Sequence, residues 1–399
     1  MDFQYGEFDG HPFPTSDSLF PSPKVMQFIL QYGQQALDAM DQLDDEPGQQ
    51  YIEAMIGAGL LERDADGTLR LTPKMVRGIQ HKSLLEIFEG LQRGTREGHP
   101  IRATGRSDEH ADGTRPYQFG DTLSDLDLGA TMRNALRRQH AEGVAHRGDN
   151  IRRAGAVPIR ADDFELHITE GQSDVALCLL LDLSGSMIRY GRFYQAKRLA
   201  LGMSQLVRGR FPQDTLDYVG FYSTACRIQE RDLPLLMPKP ISVHDYEVRV
   251  RVPLEQADAD PDSIPQHFTN LQLGLRLARQ TLHRRGAANK LIFIITDGQP
   301  TAHVEPNDPG GGEMLYLLYP PAEQTATVTL KEALRCQQQG IDIATFALIE
   351  DYWGMEWVSF VDQLTRLTRG IAYYCSSDDL ASTVIESYLT GKKRKSFVS

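Results

Sequence analysis

Cysteine is scarce in this chain: four among 399 residues, none in a C-x-x-C pair. Cys178 and Cys226 stand in strand-like runs, and Cys336 and Cys375 stand alone. They are expected as buried thiols rather than as a disulfide framework. No apolar run approaches the roughly 18–20 residues that a membrane span needs. The first residues, MDFQYGEFDGHPFPTSDS, lack a basic stretch followed by an apolar core; no secretion signal is expected, and the expected location is the cytoplasm. Positive charge is also short. Against 54 Asp and Glu stand 42 Lys and Arg, a net charge of −12, which disfavours non-specific binding of nucleic acid by the whole molecule. Nowhere does G-x-x-x-x-G-K-[ST] occur, so the chain is not expected to hydrolyse ATP itself.

What is present, 41% hydrophobic and 24% charged residues, suits a globular protein. Residues 1–22 read as a tail and residues 23–95 as a mainly helical region. Within it, helical spacing behind Ser22-Pro23 predicts a helix through about residue 43, and a second runs from about Gly48 to Gly59. Alternation on both sides of Asp66-Gly67 predicts a hairpin, and LTP starts another helix. Helix, hairpin and helix together look winged-helix-like. A DNA-associated regulator is therefore one alternative reading, although residues 44–66 are mostly acidic and lack the Arg and Lys expected near base edges. Residues 96–163 read as a linker followed by a locally basic helical segment with Arg137, Arg138, Arg147, Arg152 and Arg153. That segment either pairs with acid elsewhere in the chain or meets an acidic partner.

From 164 to 390 strands and helices alternate. DVALCLLLDLS is an unbroken apolar run suited to a strand buried on both faces, as is NKLIFIITDG. The segment TLDYVGFYSTACRIQERD holds two strands joined too tightly for a crossover helix, which predicts an antiparallel edge pair. The expected fold is α/β, a doubly wound, mostly parallel sheet with one antiparallel edge strand. Residues 231–265, rich in proline and charge, read as an insertion, HVEPNDPGGGEMLYLLYPP as a loop, and 391–399 as a basic tail.

In such sheets ligands bind beyond the carboxyl ends of strands, where strand order reverses. One strand ends at Asp182, Ser184 and Ser186, alternate positions around Gly185; another ends at Asp297 in TDG; Thr269 precedes a helix. Two carboxylates and three hydroxyls form a hard oxygen set, suited to Mg²⁺ or Mn²⁺ rather than zinc. A hydrolase reading is disfavoured, because G-x-S-x-G is absent around Ser184 and Ser186. His303, Glu305, Asp308 and Glu313 are spaced irregularly for a second metal and read as a solvated loop.

The set Asp182, Ser184, Ser186, Thr269 and Asp297 resembles the complete metal-ion-dependent adhesion site (MIDAS) of a von Willebrand factor A (vWA) domain. The resemblance spans about Phe164 to Leu389. It implies a Rossmann-like vWA fold in which Ser184, Ser186 and Thr269 hold the ion directly. Asp182 and Asp297 would act largely through waters, and a partner protein would supply an acidic ligand. The chain as a whole is similar to bacterial vWA proteins that work with MoxR-type AAA+ ATPases, and to the vWA part of the D subunit of magnesium chelatase. That likeness implies a non-enzymatic, metal-dependent adaptor or co-chaperone; a chelatase-like subunit is a further alternative, weakened by the absence of that subunit's long acidic, proline-rich linker.

Overall fold

The computed structural model describes residues 23–43, 45–94, 114–116, 127–141, 159–167, 174–243, 245–307, 311–349 and 355–395. The chain turns helical at Pro23, whose fixed φ suits a first helical turn. The single helix expected to about residue 43 is two, α1 (Pro23–Tyr32) and α2 (Gln34–Asp41). Gly33 breaks it with a φ of 59°, and any Cβ there would collide with the Leu235 carbonyl. α3 (Glu46–Gly57) leads into the expected hairpin, β1 (Leu61–Arg63) and β2 (Leu69–Leu71), turned by Gly67 at φ 81°. The Thr72 hydroxyl accepts from the Met75 amide at 3.2 Å, capping α4 (Pro73–Gly94) in the usual N-terminal manner.

Two compact units divide the chain, one drawn from Met1–Gly98 and Asp174–Gly391, the other from His99–Ser173 and Lys392–Ser399. In the second, β3 (Thr114–Pro116) pairs antiparallel with β4 (Glu165–His167), and α5 (Leu128–Ala141) carries Arg137 and Arg138 of the basic residues expected there. Arg138 donates to both oxygens of Asp163, at 2.9 and 2.8 Å. That fork holds the Asp163 carboxyl down at about 2. Arg138 thus meets acid of its own chain, while Arg147, Arg152 and Arg153 lie outside the described residues.

The first unit is built on a six-stranded sheet. In chain order it uses β5 (Val175–Asp182), α6 (Arg192–Arg210), β6 (Thr215–Phe221) and β7 (Ala225–Ile228). Then come β8 (Val248–Pro253), α7 (Leu254–Ala259), α8 (Leu271–His283) and β9 (Asn289–Thr296). The chain closes with β10 (Ala302–Pro306), β11 (Glu313–Tyr319), α9 (Glu323–Gln338), β12 (Ile341–Leu348), α10 (Met355–Thr368), β13 (Ile371–Cys375) and α11 (Leu380–Lys395). Strand order is β13-β12-β9-β5-β6-β7, parallel throughout except for the edge strand β7. β5 is buried along its whole length. Its alternate residues feed two cores: Leu177, Leu179 and Leu181 face one, and Ala176, Cys178 and Leu180 the other. This is the doubly wound arrangement that its unbroken apolar run demands.

Two expectations are corrected. The segment after Asp297 is a hairpin, β10 with β11, rather than a loop, and β8 from the expected insertion joins it in a second, three-stranded antiparallel sheet. Its residues alternate as a strand with one buried face must: Val248, Val250 and Val252 against Arg249 and Arg251, with Leu315 and Leu317 beside them. Further, α11 runs on to Lys395, into the stretch read as a tail. Cys178, Cys336 and Cys375 are buried and Cys226 is half-buried. Among the described residues no helix is long and apolar enough to cross a membrane.

The N-terminal helices share a core with the sheet. Met26, Ile29, Leu37, Met75, Ile79 and Ile87 join the cluster that holds Leu177 and Leu179. α6 lies between them, and Gly202 lets α4 approach closely, since a Cβ there would sit 2.8 Å from Ile87 Cδ1. Lys197, on the same helix, is 0% exposed. Its Nζ donates to the Leu30 carbonyl at 2.7 Å and to the Pro234 carbonyl at 3.1 Å, tying α1 and the 230–235 turn to α6. Burial pushes the ammonium down to about 7; the neutral amine still carries two N–H groups for those two carbonyls.

Between about pH 7 and pH 10.5 the unfolded lysine therefore binds more protons than the folded one, and stability should rise with pH. The slope is at most about 1.4 kcal/mol per pH unit. Urea denaturation across this range should show that rise in the wild type and its loss in Lys197→Met. Parallel curves for the two proteins would refute the assignment.

Candidate metal centre

β5 and β9 are hydrogen-bonded neighbours in register up to Leu181 and Ile295. The chain leaves β5 for β6 on one side, and β9 lies on the other, so their carboxyl ends open a crevice at a switch point. Asp182 ends one strand and Asp297 follows the other. The register places Thr296 beside Asp182, and its hydroxyl donates to Asp182 Oδ2 at 2.5 Å. The Ser184 amide donates to Oδ1 at 2.8 Å. Asp182 is 0% exposed; burial first, then the negative charge of Asp297, raises its carboxyl above the ordinary range.

Beyond Asp182 the backbone turns through Ser184-Gly185-Ser186, as the alternation suggests. Ser184 Oγ lies 3.1 Å from Ser186 Oγ, and Ser186 Oγ donates to Asp297 Oδ1 at 2.7 Å. Four of the five candidates thus form one bonded group. Thr269 joins them across the cavity wall that it shares with Gly185 and Ser186, close to where the Gly185 amide donates to the His267 carbonyl at 3.1 Å. Its own backbone is clamped: its amide donates to Thr301 Oγ1 at 2.9 Å, and its carbonyl accepts from the Thr301 and Ala302 amides at 3.0 and 3.1 Å. Next to it, Asn270 caps α8 through the Leu273 amide at 3.0 Å and donates to the Ser223 carbonyl at 3.0 Å.

The residue that sequence reasoning missed is Arg192. Its Nη1 donates to Asp297 Oδ2 at 2.6 Å in a pair whose side chains are 8% and 0% exposed. The signal was a cation in the first turn of α6, where the helix dipole disfavours positive charge. Tyr190 covers the guanidinium, its ring centroid 5.0 Å from Arg192 Cζ. To do so it adopts a left-handed φ of 55°, a strained choice for an aromatic residue.

The second-metal set does not converge. His303 is buried, bonded to Thr325 Oγ1 at 2.9 Å and stacked on Tyr316. Glu305 accepts from Gln324 and Glu313 from Arg276, while Asp308 lies outside the described residues. No group of three or more His, Cys, Asp and Glu gathers among the described residues, so the chemistry present is that of hydroxyls and two carboxylates. Such a donor set fits a hard divalent ion. The charges fit as well. With both carboxyls ionised, one guanidinium would leave one negative charge uncompensated; burial resists that charge, and a cation would favour it.

Residues 175–389, more than half of the chain, match the family model described as "Rv0959-like protein, vWA domain", and residues 109–169 match "Rv0959-like protein, third domain". The uncharacterized proteins Rv0959 of Mycobacterium tuberculosis and Mb0984 of Mycobacterium bovis are each 30% identical to the chain over 341 residues, 86% of this chain and 45% of theirs. The chain thus spans less than half the length of these curated relatives. Among solved structures, the vWF domain of the type V pili tip protein Mfa5 from Porphyromonas gingivalis aligns with 12% identity and a TM-score of 0.38, over 55% of this chain and 96% of that one. Proximal thread matrix protein 1 from the mussel byssus, with a zinc-occupied MIDAS motif, aligns with 14% identity and a TM-score of 0.34, over 54% and 45%. At such scores neither likeness carries an inference about this chain.

Removing one partner of a buried ion pair strands the other, at a typical cost of about 3–5 kcal/mol. Arg192→Met should lose stability on that scale in urea denaturation with EDTA present. A loss below about 1 kcal/mol, the range of exposed pairs, would show that Asp297 does not depend on Arg192.

Proposed function

The chain belongs to the Rv0959-like vWA family, and from that premise we propose that it is a divalent-metal-dependent protein-interaction module with no enzymatic activity of its own. The observation that carries this reading is the charge of the site. With both carboxyls ionised, as a bound cation favours, Asp182, Asp297 and Arg192 together hold one net negative charge; a divalent cation turns this to one net positive. That excess calls for an anion, and an acidic side chain of another protein supplies it. Ser184, Ser186 and Thr269 would hold the ion, with Asp182 and Asp297 providing charge, and hard oxygen donors favour Mg²⁺ or Mn²⁺. When bound, the ion supplies a Lewis-acidic position for a carboxylate. The surrounding residues orient the donors: Thr296 fixes Asp182, and Arg192 fixes Asp297.

The partner we propose is a MoxR-type AAA+ ATPase acting with this chain, as adaptor or co-chaperone, on a client protein. Two facts support it. The vWA domain is the fold of a protein-interaction module, and these 399 residues hold no phosphate-binding G-x-x-x-x-G-K-[ST] loop, so this stretch supplies no such nucleotide site of its own.

Calorimetric titration of Mg²⁺ and Mn²⁺ into the wild-type chain and Asp182→Ala tests the metal. Saturable binding in the wild type and at least a tenfold loss in the variant is the expected outcome; equal heats would end the metal reading. Co-purification with a MoxR-type ATPase should be abolished by EDTA, and no association in any nucleotide state would end the adaptor reading.

A further inference from the structure

The site opens into a cavity of about 460 Å³. Its lining combines Gly185, Ser186 and Thr269 of the metal loop and its neighbours with an apolar group, Ile241, Val243, Val248, Phe268, Tyr246 and Tyr319. At about 30 Å³ per water, this is far more room than a carboxylate needs. The apolar residues come mainly from residues 239–243 and 245–248 and the end of β11, outside the six-stranded sheet.

That apolar lining is fastened to the metal loop. The Lys239 amide donates to the Leu183 carbonyl at 2.8 Å. The Ser242 amide donates to His267 Nδ1 at 3.4 Å. Ile241 packs so closely on Gly185 that a Cβ there would lie 2.5 Å from Ile241 Cγ1. A chain entering the cavity with its carboxylate at the hydroxyls therefore meets a fixed apolar surface next. Two of its aromatic residues remain uncovered, Tyr246 at 95% and Tyr319 at 50% exposed. Arg189 and Asp245, of opposite charge, also line the cavity.

We propose that the second sheet and residues 239–243 and 245–248 set partner choice: the segment bound here is a peptide whose acidic residue is directly followed by a large apolar one, which fills the cavity between Ile241, Phe268, Tyr246 and Tyr319. The inference rests on the metal-dependent reading above and adds to it the identity of the neighbouring residue. The acidic residue supplies affinity common to any carboxylate; the apolar residue supplies discrimination, through the area it removes from water.

The test uses the full chain loaded with Mn²⁺ and two synthetic peptides, Ac-Gly-Glu-Leu-Gly-NH2 and Ac-Gly-Glu-Gly-Gly-NH2, with Mn²⁺-induced relaxation of the glutamate protons as readout. The leucine peptide should bind at least tenfold more tightly. Tyr246→Ser and Tyr319→Ser, at exposed positions that folding tolerates, should each shrink that preference severalfold. Equal affinity of the two peptides, binding of neither to the Mn²⁺-loaded chain, or a preference unchanged in both variants would overturn the proposal while leaving the metal reading standing. Failure of the wild-type chain to take up Mn²⁺ at all would instead remove the metal reading, and this inference with it.

Discussion

Two carboxylates stand at the ends of adjacent buried strands, β5 and β9, in a place from which water is largely excluded, and much of the structure answers to that placement. An ionised carboxylate in such surroundings needs donors and counter-charge. Asp182 has donors, the Ser184 amide and the Thr296 hydroxyl, but no cation of its own. Asp297 has the guanidinium of Arg192. Arg192 holds its position against the helix dipole, and Tyr190 accepts a left-handed backbone to cover it. A local conflict of this kind, tolerated only because neighbouring contacts enforce it, is the usual sign that a site rather than stability set the arrangement.

Around that pair the fold divides its labour. The six-stranded sheet positions the donors through strand register alone, because parallel neighbours deliver their ends to one rim. The second sheet, absent from the minimal alternation of strands and helices, lends apolar residues to the cavity. On the other face of the main sheet the N-terminal helices pack on α6, and Lys197 joins three segments through main-chain carbonyls. Because α6 begins at Arg192, the helix that carries Asp297's counter-charge is the same one held by the N-terminal region. The placement of Arg192 is therefore braced from outside the vWA domain proper.

The parallel sheet was legible because a strand covered on both faces shows as an unbroken apolar run, and both Leu177–Leu181 and Leu291–Thr296 do so. The antiparallel edge was legible from the short spacing between Phe221 and Ala225. The five candidate residues could be singled out because each follows a predicted strand or precedes a predicted helix. Less visible was the hairpin β10–β11: Pro306, Pro309 and the triple glycine mask the alternation of Val304, Leu315 and Leu317. Gly33 was equally quiet, since a glycine inside a helical pattern is often tolerated and only the approach of Leu235 requires the break.

Local pattern therefore determined which segments form the main sheet, which residues can offer oxygen, and where along each strand they stand, because these depend on periodicity and on neighbours a few residues away. Tertiary structure alone decided that Arg192 answers Asp297, that residues 239–243 and 245–248 line the cavity, and that the N-terminal helices share the core of the sheet. These pairings join residues from 25 to 167 positions apart, and they are selected by the cost of leaving charge or apolar surface unmatched, a cost that arises only once the chain has closed around them.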